Sequence, residues 1–334
     1  MIIVNVLAKI AINTLLGVTL IFIWLHFVDI KSIFTTISQV NLMKLLPVVI
    51  FMLISPSIRA LRLKIFLAPI KKTHFLDLIF LNGVATMLNF LIPIRGGEIA
   101  KGIYLHTSYH LPFGKSLVWI FLDRFIDFLA VLILVAVLLF LIPTSLSISF
   151  IIIITIIFFI SLFLTFLMVY QSNFAKKLFS FLRYLLIINT IKIYFYRISV
   201  YLMNSFSVLK RGPRDILALF SLTVLAYGAD AAIWYFTFLA IGSHQEYLKM
   251  YLGQLLSALT YLVPAAPGYV GSAEASGLLI FSGVFGVSTN LASAMIVLFH
   301  VLTALFVISF GVISIYFLKI DLGMILSQIL KKNK

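Results

Sequence analysis

Nine ionisable residues stand in stretches that are otherwise apolar: Arg95, Glu98, Lys101, Asp123, Arg124, Asp127, Asp230, Glu274 and His300. Arg95, Glu98 and Lys101 recur every three positions, so a helix opening near Gly96 carries them on one face. Asp123, Arg124 and Asp127 share a second helical face. Arg95 and Arg124 can pair with Glu98, Asp123 and Asp127 across facing helices, and the helix end at Gly96-Gly97 adds partial positive charge. That makes a cationic pocket with compensating carboxylates, suited to the phosphate of a lipid, with Glu274 joining from further along the chain. The same charges also fit an ion-pair network that holds a bundle together with no ligand. Asp230 and His300 are assigned to coupling or to structure, since Tyr227, Tyr235 and small neighbours can satisfy Asp230.

Other chemistry has little to build on. The absence of cysteine removes disulfides, thiol catalysis and cysteine-held metals. His106 and His110 have a zinc-like spacing of four, but no acid in the pattern and no third ligand accompany them. No nucleophile elbow, phosphate loop or dinucleotide fingerprint is present, so no catalytic residue, metal or cofactor is assigned.

The elements that must position these residues are membrane helices. Hydrophobic residues make up 63% of the 334 positions and charged residues only 10%, against about 25% in a soluble domain. Six stretches can cross roughly 30 Å of hydrocarbon, about 20 residues each: 6–28, 44–66, 116–142, 148–170, 215–241 and 290–318. Two more apolar regions, 76–112 and 248–286, are interrupted. Pro93, Gly96 and Gly97 break the first; Pro264, Pro267, Gly268 and Gly271 break the second. Each reads as a helix pair meeting at an irregular hinge, which hydrocarbon tolerates only where protein buries it or a wet cavity lines it. The fold class is therefore all-α: a polytopic bundle of six spanning helices plus two broken or re-entrant pairs.

The net charge of +15 is placed between the apolar stretches, which points to anionic lipid headgroups rather than nucleic acid. Basic residues crowd 59–72, 171–214 and the tail, and no acid lies between Asp127 and Asp215. Putting these segments inside gives one consistent path through the plasma membrane, with both termini cytoplasmic. Segment 171–214 mixes large apolar and basic residues, as an amphipathic helix on the inner leaflet does. The division is a single membrane domain over 1–320 and a basic cytoplasmic tail over 321–334.

The two breaks resemble each other. Each has an apolar helix ending in proline, a glycine turn, and one glutamate opening the next helix. Glu98 precedes Arg124 by 26 positions, and Glu274 precedes His300 by 26. With the first pair inside and the second outside, halves 41–142 and 215–318 read as inverted repeats, joined through helix 148–170 and segment 171–214. That plan recurs in alternating-access carriers, with broken helices at the substrate site.

The runs Pro93-Ile94-Arg95-Gly96-Gly97-Glu98-Ile99-Ala100-Lys101, Leu122-Asp123-Arg124-Phe125-Ile126-Asp127 and Pro264-Ala265-Ala266-Pro267-Gly268-Tyr269-Val270-Gly271-Ser272-Ala273-Glu274 resemble the lysylphosphatidylglycerol synthase transmembrane-region family, also called flippase-like integral membrane proteins. The resemblance covers about residues 1–320. It implies a helical domain that moves a lipid between leaflets or handles lipid-linked intermediates. In the synthases the domain is fused to an aminoacyl-transfer domain, and in some archaeal relatives to a glycosyltransferase. Neither is expected here, so aminoacyl transfer is not carried over. Lys101, Asp123 and His300 stand where the family often has Arg, Glu and Arg. The expected function is translocation of an anionic phospholipid or a polyprenyl-phosphate-linked lipid. The alternative is a membrane-embedded transferase, or an accessory subunit for a separately encoded glycosyltransferase or synthase.

Overall fold

The computed structural model describes residues 2–92, 96–146, 148–170, 172–186, 213–260 and 266–321, with short stretches between 189 and 200. Among the described residues every regular element is helical. In chain order these are α1 (Ile2–Phe27), α2 (Ile30–Ser38), α3 (Leu46–Leu67), α4 (Phe75–Leu91), α5 (Gly96–Tyr109), α6 (Phe113–Leu141), α7 (Ile148–Tyr170), α8 (Ser172–Leu185), α9 (Pro213–Ala240), α10 (Tyr247–Thr260), α11 (Ser272–Leu278) and α12 (Thr289–Leu318).

Four helices among the described residues are long and apolar enough to cross a membrane: α3 with its leading turn, α6, α9 and α12. They match the expected spans 44–66, 116–142, 215–241 and 290–318. The first expected span is α1, which turns through 87° into α2; together they make a fifth candidate. Asp29 produces the bend by capping α2, its carboxylate accepting the Lys31 N–H at 2.9 Å. The stretch 148–170 is helical as α7. The chain is a multi-pass membrane protein, and Phe140, Phe159, Leu305 and Tyr316 stay exposed, as a hydrocarbon solvent permits.

Both interrupted stretches fold as helix pairs. α4 stops at Leu91 and α5 opens at Gly96; α10 stops at Thr260 and α11 opens at Ser272 after a 3-10 turn at Pro267–Tyr269. α11 runs on as a π-helical stretch to Val284. Of the hinge residues, Pro93 and Pro264 lie outside the described residues, as does Arg95. Gly97 has a clear reason to be glycine: a Cβ there would lie 2.0 Å from the Ala85 carbonyl oxygen. Its N–H is taken by the Asn89 side chain at 2.9 Å, so α4 itself anchors the helix that follows the break.

Packing brings the two parts of the chain together. α3 lies along α9, α4 along α12, and α10 against α6. The α4–α12 contact is close because Gly83 faces Phe310 and Ser314 while Gly311 faces Met87. Pro56 sits inside α3, and its carbonyl accepts the Asn82 amide of α4 at 3.2 Å. α1 is pinned to α12 by Trp24 Nε1 donating to Ser293 Oγ at 3.1 Å, and its Gly17 lies against Ala266 and Val270 of the second break. α8, within the basic segment, exposes Lys176, Lys177 and Arg183 beside Phe174, Phe181 and Leu185. Most of the remainder of 171–214, and the tail beyond Asp321, lie outside the described residues.

Candidate functional site

Arg62 is the most buried charge, with 1% of its side chain exposed. It leaves α3 and grips Asp123 of α6 with two prongs, Nε to Oδ1 at 3.1 Å and Nη2 to Oδ2 at 2.9 Å. Its Nη1 donates to Asp127 and, at 2.8 Å, to Thr223 Oγ1 of α9. One guanidinium thus ties three helices and places four of its five N–H donors in hydrogen bonds, as a charge this deep requires.

One turn earlier, Arg59 of α3 meets Asp230 of α9, Nη2 to Oδ2 at 2.7 Å. Ser55 donates to the same carboxylate at 2.5 Å, and the guanidinium lies over the Tyr227 ring, 5.3 Å from its centre. The sequence offers Tyr227, Tyr235 and small neighbours as structural partners of Asp230. Its ion-pair partner is Arg59, which, like Arg62, lies both in the expected span 44–66 and in the basic segment 59–72. Both belong to the membrane helix, because the apolar run of α3 continues past them to Leu67.

The residues after the first break come together more loosely. Glu98 at the opening of α5 lies 3.6 Å from Lys101 and 3.5 Å from Arg124 of α6. Arg124 also approaches Asp127 at 3.5 Å and Asp123 at 3.9 Å. Of the pairing expected across facing helices, the Arg124–Glu98 contact joins α6 to α5, while Asp123 and Asp127 are neighbours of Arg124 on α6 itself. The tight partner of both aspartates, however, is Arg62. Arg124 is the least buried cation of the group, a third of its side chain exposed, while Lys101 is buried.

The second break has its own pair. Glu274 Oε2 accepts the Gly271 N–H at 2.7 Å, and its Oε1 lies 2.5 Å from His300 Nδ1. His300 Nε2 lies 2.7 Å from the Gly268 carbonyl oxygen. In both parts of the chain, then, the glutamate that opens the helix after the break contacts the basic residue 26 positions on.

A cavity of about 600 Å³ runs between these groups. Arg59, Asp230, Glu98, Lys101, Arg124, Asp127 and His300 all line it. The rest of the lining is largely apolar and aromatic, including Phe281, Phe299, Phe306 and Phe310. Among the described residues the cluster holds four cations (Arg59, Arg62, Lys101, Arg124) and four carboxylates (Glu98, Asp123, Asp127, Asp230). These eight balance, and Arg95, expected beside them, lies outside the described residues.

A family model described as the lysylphosphatidylglycerol synthase TM region matches residues 6–311. A UPF0104 membrane protein of Archaeoglobus fulgidus is 32% identical over 108 residues, which cover 32% of this chain and 32% of that protein. The chain therefore aligns with about a third of this relative's length. No solved structure matches. The chain belongs to the lysylphosphatidylglycerol synthase transmembrane-region family.

Proposed function

We propose that this member of the family is a lipid translocase for an anionic phospholipid or a polyprenyl-phosphate-linked lipid. The observation that carries the reading is the cavity, whose lining joins charged side chains to aromatic and apolar ones, as a molecule with a charged head and a hydrocarbon tail requires. Arg95, Glu98, Lys101, Asp123, Arg124, Asp127 and Glu274 are the residues assigned to the headgroup; of these, Glu98, Lys101, Arg124 and Asp127 line the cavity, and Asp123 supports them from its bond to Arg62. Arg124 is the cation most easily transferred to a phosphate, because its contacts are long and its side chain is partly exposed. Arg62 is too deeply committed to its aspartates for that role.

The carrier architecture is part of the proposal: six spans, two broken pairs, both termini cytoplasmic in the plasma membrane, and halves 41–142 and 215–318 in inverted repeat. Two relationships support the repeat. Contacts are reciprocal, with α4 on α12, α10 on α6 and α3 on α9. The Glu98–Arg124 and Glu274–His300 contacts also occupy matching positions. Broken helices at matching places are where carriers of this kind hold substrate.

The test is reconstitution into liposomes containing fluorescent anionic lipids, with dithionite quenching of the outer leaflet. Arg124→Ala is expected to slow lipid movement on the order of tenfold, the loss of one charge-assisted contact. Movement unchanged in an Arg95→Ala, Glu274→Ala double variant would remove the headgroup assignment.

A further inference from the structure

We infer that the His300–Glu274 pair is a proton-binding site that fastens the turn of the second broken pair, and that loss of its proton releases that turn. The inference deepens the translocase reading and rests on it only where turn movement is linked to lipid movement.

The hydrogen bonds decide how many protons the pair holds. The Gly268 carbonyl can only accept, so His300 Nε2 carries a hydrogen toward it. A second hydrogen lies between Nδ1 and Glu274 Oε1. Whether that hydrogen resides on nitrogen or on oxygen, the pair holds both and is neutral as a unit. Remove one proton, and a single hydrogen remains for two acceptors. The N–H bond breaks, its electron pair stays on the imidazole nitrogen, and the proton passes to water. Either the Gly268 carbonyl or the buried Glu274 carboxylate then loses its donor.

What this bond holds is a segment poised to move. Gly268, Tyr269 and Gly271 all have positive φ, at 69°, 57° and 81°. Pro267 precedes them, and the short α11 follows. The Gly271 N–H bond accounts for one oxygen of Glu274 as an ordinary helix cap, but it leaves the bridge from His300 to Gly268 unexplained. That bridge spans from α12 to the turn and to α11 at once.

No other described charge bonds to this pair. α4 presents the Phe90 ring edge-on to His300 at 6.3 Å. Arg59, Asp230, Glu98, Lys101, Arg124 and Asp127 line the same cavity, and each has ion-pair partners of its own. His26 of α1 and Lys31 of α2 are exposed, and Tyr227 and Tyr235 belong to α9. In the first half the matching position is Arg124, which keeps its proton throughout the working pH range. The two breaks therefore differ at this position: the second carries an imidazole that can lose a proton where the first carries a guanidinium that does not.

Hydrogen–deuterium exchange of the purified full-length chain, from about pH 5 to about pH 9 across the usual histidine range, tests this. After correction for intrinsic exchange chemistry, amides of 266–278 are expected to show a step of roughly tenfold, while those of 131–141, a stretch of α6 without an ionisable side chain, show none. His300→Gln is expected to abolish the step. The inference is overturned if 266–278 shows no step beyond that of 131–141 in the wild type, or if the step survives in His300→Gln. The wild-type profile decides even if the variant fails to fold. Lipid movement is followed in the same preparations. A step without any lipid movement supports the proton site and overturns the translocase reading. Lipid movement without a step overturns the proton site and leaves the translocase reading intact.

Discussion

Arg62 and Asp123 face each other as a two-pronged pair, both carboxylate oxygens taking a guanidinium N–H, at 3.1 and 2.9 Å, in a place where the arginine is 1% exposed. The contact joins α3 to α6, and Thr223 extends it to α9. It is the anchor against which the looser Glu98–Arg124 contact can rearrange.

Breaking that anchor strands a buried charge. Arg62→Ala is expected to destabilise the fold by about 3–5 kcal/mol. Arg62→Lys recovers little, since an ammonium cannot supply the fork. Thermal melting monitored by size-exclusion chromatography in detergent reads both. An unchanged melting temperature for Arg62→Ala would remove the structural role given to the pair.

Arg59 and Asp230 are each about a fifth exposed, so their pair is the softer of the two. A double-mutant cycle with Arg59→Gln and Asp230→Asn is expected to give a coupling of about 0.5–3 kcal/mol. The double variant should melt higher than either single one, because no unpaired charge remains. Additive losses would mean that the two residues act separately.

The α4–α12 contact depends on glycine at both faces. A Cβ on residue 83 would sit 2.2 Å from Ser314 Oγ, and one on residue 311 would sit 2.5 Å from the Met87 Cβ. Gly83→Leu and Gly311→Leu are each expected to lose about 1–3 kcal/mol. Gly114→Leu, which meets nothing within 4 Å, should change stability by less than about 0.5 kcal/mol. Equal melting temperatures across the three variants would contradict close packing at this interface.

Much of this was legible in the residues. Long apolar runs identified the spanning helices, and proline and glycine located both breaks to within a few residues. The spacing of 26 shared by Glu98–Arg124 and Glu274–His300 turned out to mark real contacts. Arg59 and Arg62 fall in both the expected span 44–66 and the basic segment 59–72, and the nearby Lys64, Lys71 and Lys72 drew them to the cytoplasmic cluster instead of to the charges within the membrane. A signal was available: arginines inside the apolar run 44–66 need carboxylates from other apolar helices, and Asp123, Asp127 and Asp230 are such carboxylates. The choice of partners depended on how α3 lies against α6 and α9, which no local pattern in a helix encodes.

The placement of both arginines on α3 has a consequence for biogenesis. Their carboxylates come later in the chain, Asp123 and Asp127 by 61 and 65 residues and Asp230 by 171. When α3 leaves the ribosome it carries two uncompensated cations, each costing about 2.5–3.5 kcal/mol at the centre of a helix during insertion. The segment should therefore linger at the translocon or the interface until α6 and α9 emerge. Nascent chains arrested before residue 123 are expected to leave a cysteine placed at Ser57 open to aqueous labelling, and chains arrested well past residue 230 to protect it. Equal labelling at both lengths would show that α3 settles without waiting for its counter-ions.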